Sequence, residues 1–179
     1  MRQILKRHPD SLSSAATGVE VEVARPRAGS LVLRYLVSGK IGDLRLPSIT
    51  APARADELWR HTCFEAFVRS SRHAGYYEFN FAPSTQWAAY RFGGYRRGMR
   101  VATELSAPRM EVLSAPDRYA LQVCLDLDGL SMLPRDAEWR LGLAALIEEA
   151  NGHRSLWALT HPPGKADFHH PDSFVHELS

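Results

Sequence analysis

Cysteine is almost missing from this chain of 179 residues, which holds only Cys63 and Cys124. Neither belongs to a CxxC pair, so a zinc knuckle and a dithiol redox motif are excluded. Lysine is nearly as scarce, with 3 residues beside 19 arginines, and acidic residues bring the formal charge to only +2. That balance argues against a nucleic-acid surface, which needs basic residues massed on one face. The tightest basic group, Arg96, Arg97 and Arg100, is short and broken by Gly98 and Met99. No stretch approaches the ~18 consecutive apolar residues of a membrane helix. The opening MRQILKRHPDSLSSAA is basic, but no apolar run of signal-peptide length follows it. The expectation is a cytoplasmic protein in a reducing compartment, with both cysteines as free thiols. There is no GxSxG elbow, P-loop or GxGxxG, so no enzyme is expected.

What the chain does have is alternation. Its hydrophobic fraction of 45% suffices for one core, and its length suits one domain over residues 1–179. Val19, Val21 and Val23 alternate with Glu20 and Glu22. Tyr77, Phe79 and Phe81 alternate with Tyr76, Glu78 and Asn80. Tyr119 to Leu127 follows the same rule. Period two places successive side chains on opposite faces of a strand. Further strands are expected over Leu31–Val37, Cys63–Ser70, Trp87–Phe92, Val101–Leu105, Met110–Leu113, Glu138–Glu148 and Ser155–His161. Turn chemistry separates them, as at Ser38-Gly39, Phe92-Gly93-Gly94 and Asn151-Gly152. The prediction is an all-β protein, a two-sheet antiparallel β-sandwich of about ten strands. Cys63–Ser70 and Tyr76–Phe81 should form a hairpin, with Phe64, Phe79 and Phe81 between the sheets.

Three segments are denser in aromatic and polar residues than folding requires: ELWRHTCFEAF, YYEFNFAPSTQWAAYRF, and the stretch from Glu148 to Phe174. Glu65 lies opposite Phe64 and Ala66, and Glu78 and Asn80 share one face. Trp157 and His161 share a face opposite Leu156 and Ala158, and Trp59 precedes its strand. If these strands are neighbours, Trp59, Glu65, Glu78, Asn80 and Trp157 line one groove, with His161 at its edge. Rings stacking on the C–H face of a sugar, with amides and carboxylates on its hydroxyls, would make a carbohydrate site. The plain alternative has the tryptophans filling the core and the polar residues solvated. Glu65 and Glu78 also have the residue types of a glycosidase pair, but a sequence supplies no separation. The loop Thr160–Phe174 should fold back over the strands. In it His161, His169 and Asp167 are expected to form a hydrogen-bonded network and not a metal site.

On LWRHTCFEAF, YYEFNFAPSTQWAAYRF and WALTHPPGKADFHHPDSF, the sequence resembles the bacterial DOMON-like family, in the superfamily of type 9 carbohydrate-binding modules. The resemblance implies a β-sandwich and a sugar-like ligand held without a cofactor. Trp59 and Trp157 match the two sugar-stacking aromatics, and Glu65, Asn80 and Glu78 the polar contacts. Haem-binding relatives use a Met/His pair, which here implies Met99 or Met110 with His161 as an alternative. A protein-interaction or structural domain is the third reading.

Overall fold

A computed structural model describes residues 1–178. Among them are twelve strands: β1 (Arg2–Arg7), β2 (Ala16–Ala24), β3 (Ser30–Gly39), β4 (Cys63–Ser70), β5 (Tyr76–Phe81), β6 (Trp87–Phe92), β7 (Arg100–Val101), β8 (Arg109–Ser114), β9 (Arg118–Asp126), β10 (Trp139–Glu148), β11 (Arg154–Ala158) and β12 (His176–Leu178). The pairings between them are all antiparallel. None of the described helices is long and apolar enough to cross a membrane.

The strands form one hydrogen-bonded path, β7-β6-β5-β4-β10-β11-β1-β2-β3-β9-β8, with β12 paired to β10. The all-β antiparallel fold is the expected one, with twelve described strands where about ten were expected, joined in one continuous path. The link is β1, whose RQILKR has one buried residue, Leu5, and no clean alternation. Its first part, Arg2–Leu5, pairs with β2, while Lys6 and Arg7 pair with Ala158 and Trp157 of β11. One strand therefore serves both limbs of the path.

The alternating residues of both limbs meet in one core. Val19, Val21 and Val23 of β2, Leu33 and Tyr35 of β3, and Leu121 and Val123 of β9 join Phe64 and Ala66 of β4, Phe79 and Phe81 of β5, and Leu143 and Ala145 of β10. Phe64, Phe79 and Phe81 are fully buried, as their parity predicts. Phe64 packs 5.0 Å from the Tyr35 ring and stacks 6.0 Å from Tyr119. The Tyr35 hydroxyl crosses the core to donate to the Glu65 carbonyl at 2.8 Å. That bond matters because an unpaired buried hydroxyl costs about 1–3 kcal/mol.

The β4–β5 hairpin forms over the predicted ranges, with Glu65 opposite Asn80 and Phe67 opposite Glu78. β10, whose EWRLGLAALIEEA could read as a helix, is a strand paired to β4 and β11. On the far side of β4, β5, β6 and β10 from the core lies a second apolar cluster: Phe67, Tyr76, Ala88, Tyr90, Phe92, Ala144, Ala158 and Phe174. The C-terminal segment closes over this face. Gly142 of β10 makes room for it, because a Cβ there would come within 3.1 Å of the Ser173 carbonyl oxygen. Phe174 is buried and Phe168 packs against the same cluster, so the expected fold-back of the C-terminal loop is found. Cys63 and Cys124 are both free.

Candidate functional site

A cavity of about 500 Å³ opens on this second face, lined by Trp59, Glu65, Glu78, Tyr90, Phe92, Arg96, Met99, Leu146, Leu156, Ala166, Phe168 and His169. Strand pairing builds its floor. Glu65 of β4 and Glu78 of β5 lie on neighbouring strands, in adjacent paired rows, Glu65–Asn80 and Phe67–Glu78. Tyr90 faces Glu78 from β6. Leu146 and Leu156 are paired across β10 and β11.

Loops supply the walls. The 3-10 turn Leu58–Arg60 holds Trp59 at the mouth, 37% exposed, with its ring 6.0 Å from that of Tyr90. The C-terminal loop contributes Phe168 and His169, and the β6–β7 loop contributes Arg96 and Met99. Glu57, just before the Trp59 turn, has φ 59°, and Arg96 has φ 52°. Such left-handed non-glycine positions are uncommon and tend to persist where surrounding contacts hold them. The contact at Arg96 is a clamp, in which Nε and Nη2 both donate to Asp167 Oδ1, at 3.2 and 2.7 Å. Tyr95 also donates to Asp167.

The floor is electrostatically unusual. Burial, then the neighbouring Glu78, pushes the Glu65 carboxyl well above the usual range, against an opposing pull from Arg96. Burial raises Glu78 to about 7, although a hydrogen bond from Asn80 and the Arg96 charge both act the other way. His169 is lowered to about 4 by burial and then by Arg96. Its Nδ1 is hydrogen-bonded to the Tyr76 hydroxyl at 2.8 Å, and its Nε2 faces Glu78 Oε2 at 3.6 Å, too far for a hydrogen bond. Asn80 Nδ2 donates to Glu78 Oε1 at 2.8 Å, while Asn80 Oδ1 is buried without a partner. The Glu65 carboxyl accepts no hydrogen bond from any described residue and has no ion-pair partner, although Glu65 is only 5% exposed.

Of the six residues singled out in the sequence, Trp59, Glu65 and Glu78 therefore line one cavity. Asn80 shares their strand face but is fully buried beneath the lining, where it holds Glu78. Trp157 is a correction. It is 5% exposed in the main core, and its Nε1 donates to Ser155 Oγ at 2.9 Å. The reason is register: Trp157 pairs with Ala145, a core-facing residue, so its neighbour Leu156 faces the cavity instead. His161 is a second correction. β11 ends at Ala158, and His161 turns toward β1, with Nε2 donating to the Lys6 carbonyl at 2.8 Å and the ring 4.9 Å from that of His8. It stands behind Phe168, at 6.4 Å between ring centroids, and outside the lining. The expected His161–His169–Asp167 network reduces to His169 and Asp167, joined through the His169 backbone N–H at 3.1 Å.

The Met/His pair of the haem alternative is not assembled by the residues named for it. Met110 of β8 packs against the main core, and His161 does not share the cavity with Met99. The histidine that does is His169, whose two nitrogens face Tyr76 and Glu78.

Tyr90, Phe92, Arg96, Leu156, Phe168 and His169 were not singled out as site residues. Period two would have found Tyr90 and Phe92, which share the parity of Ala88 on β6 and face Glu78 and Tyr76. No local signal marks Arg96 or Phe168, which arrive from loops by tertiary packing.

No protein-family model and no curated protein matches this chain. Solved structures do. A candidate carbohydrate-binding protein from Bacteroides uniformis matches with a TM-score of 0.68 at 14% identity, covering 97% of this chain and 84% of that one. A family 9 carbohydrate-binding module from Caldicellulosiruptor kristjanssonii, in complex with cellotriose, matches with a TM-score of 0.52 at 12% identity, covering 92% of this chain and 74% of that one. At these identities the likeness is one of fold: this chain is folded like a type 9 carbohydrate-binding module.

Proposed function

We propose that this chain is a non-catalytic binding module that takes a small sugar in the cavity between Trp59 and Phe168. The observation that carries the reading is the pairing of a carboxyl floor with aromatic walls. Aromatic faces suit the apolar C–H face of a pyranose, and carboxyl groups suit its hydroxyls. The cavity is in the size range of small-molecule sites, roughly 300–1,000 Å³. The fold shared with a module that holds cellotriose supports the same reading. The finer assignments belong to this proposal: membership of the DOMON-like proteins rests on the three aromatic motifs, and a two-sheet sandwich on the period-two alternation of the strands.

The test is calorimetric titration of the protein with a panel of neutral, acidic and amino sugars, repeated on Trp59→Ala. At least one sugar should bind, and loss of the Trp59 ring should weaken that binding by roughly 1–3 kcal/mol, the range for a stacked anchor. A panel that gives no heat, or an affinity untouched by Trp59→Ala, would sink the reading.

A further inference from the structure

The cavity floor holds two carboxyl groups for which the protein supplies little compensating charge. Glu65 and Glu78 both reach the cavity from neighbouring strands. Glu65 has no polar partner among the described residues, and Glu78 has one neutral donor, Asn80. The one guanidinium in the lining, that of Arg96, is engaged by Asp167 through two of its nitrogens. His169, the remaining basic group, loses its proton easily because burial opposes its charge. The other titratable groups near the pair bring no positive charge: Tyr90 donates outward to Asp56 at 2.7 Å, the Tyr76 hydroxyl is bonded to His169, and burial holds Cys63 as a thiol. The rings of Tyr90 and Phe92 on β6, and of Trp59 and Phe168 from the loops, line the same cavity. Aromatic faces carry negative quadrupole density and attract cations, the more so when water is excluded.

Two carboxyls whose one nearby guanidinium, Arg96, is already engaged by Asp167, in a cavity lined by aromatic rings, lead to one ligand property. We infer that the ligand carries a positive charge, and that the site's preferred class is a sugar bearing a protonated amine, with its ammonium over Glu65 and Glu78. This inference rests on the sugar reading above and adds the charge to it. A hydroxyl at that place would leave the carboxyls protonated and the cavity neutral. An ammonium would draw a proton off the pair and form charge-assisted hydrogen bonds, which are roughly twice as strong as neutral ones.

The experiment is calorimetry near pH 6.5 with glucose, glucosamine and N-acetylglucosamine, each in two buffers of different ionisation enthalpy. Glucosamine should bind about tenfold more tightly than glucose or better, in keeping with a desolvated charge pair. N-acetylglucosamine, which keeps the ring but loses the charge, should show no such gain. Only glucosamine should release a proton, seen as a heat that depends on the buffer. Glu65→Gln and Glu78→Gln, checked for folding by near-UV circular dichroism, should reduce the preference for the amine while changing glucose affinity less. Equal affinity for glucose and glucosamine would overturn the inference and leave the sugar reading standing. A preference that survives both Gln variants would overturn it too, as would no binding by any of the three. Whether the sugar reading then also fails is decided separately by the wider panel.

Discussion

Replacing Glu78 by Gln should change the way stability depends on pH, and the size of the change follows from the site. Gln keeps the shape of the side chain and the oxygen that accepts from Asn80 Nδ2, so the variant should match the parent within about 1 kcal/mol at pH 5, where the buried carboxyl is neutral. The carboxyl is pushed up from an ordinary 4.5 to about 7 in the folded chain. A group whose folded value lies above its unfolded value favours folding while protonated. The unfolded chain gives up its proton first as pH rises through 4.5, and the folded chain gives up its own near 7. Stability is therefore greatest below pH 4.5, as far as this group is concerned, and falls between 4.5 and 7. Each unit is worth about 1.4 kcal/mol, so the loss is roughly 3 kcal/mol, shared with Glu65 because the two sites titrate together. Urea unfolding of both proteins at pH 5 and pH 8 isolates the effect as a difference of differences. The parent should lose roughly 3 kcal/mol more than Glu78→Gln between the two pH values. Parallel profiles would refute the claim that this carboxyl is buried and under-compensated.

The mirror case is Glu149, where burial is outweighed by hydrogen bonds from Ala15, Ser14 and Ser13, holding the carboxyl at about 2. Its contribution should be present above pH 4.5 and lost as pH falls through 2, so Glu149→Gln should flatten the acid limb of the stability curve by up to roughly 3 kcal/mol in urea unfolding. Trp157→Ala should cost about 3–5 kcal/mol, the range for removing a core aromatic, whereas Trp59→Ala should cost under about 1 kcal/mol and act on binding instead. Thermal melts separate the two, and equal losses would contradict the placement of either ring. Tyr35→Phe should cost about 1 kcal/mol through the lost bond to Glu65, and no change would mean that the carbonyl finds another donor.

The limits of sequence reading are visible at single residues. The ranges of β4 and β5 were legible because Phe64, Phe79 and Phe81 alternate with Glu65, Glu78 and Asn80. Glu65, Glu78 and Asn80 follow from the same parity. Trp157 shows where parity stops. Alternation says that Trp157 and Leu156 face opposite ways, but only pairing to β10 says which of them faces inward. β1 escaped notice because RQILKR is largely polar, and its two pairings are a tertiary fact. Arg96 and Phe168 reach the cavity from loops whose paths depend on the ion pair with Asp167 and on the space at Gly142.

Whether ligand binds in the cavity beside Trp59 can be read directly from the four tryptophans. In an amide-and-indole nitrogen–proton correlation spectrum, each contributes one indole signal. Trp139 Nε1 is held by the Pro134 carbonyl and Trp157 Nε1 by Ser155, both away from the cavity. On titration with the tightest-binding sugar of the panel, the Trp59 indole should shift strongly, with backbone shifts at Glu65, Glu78 and His169, while the Trp139 and Trp157 indoles stay in place. Shifts centred on Trp157 or on β8 and β9, with Trp59 unmoved, would contradict the account.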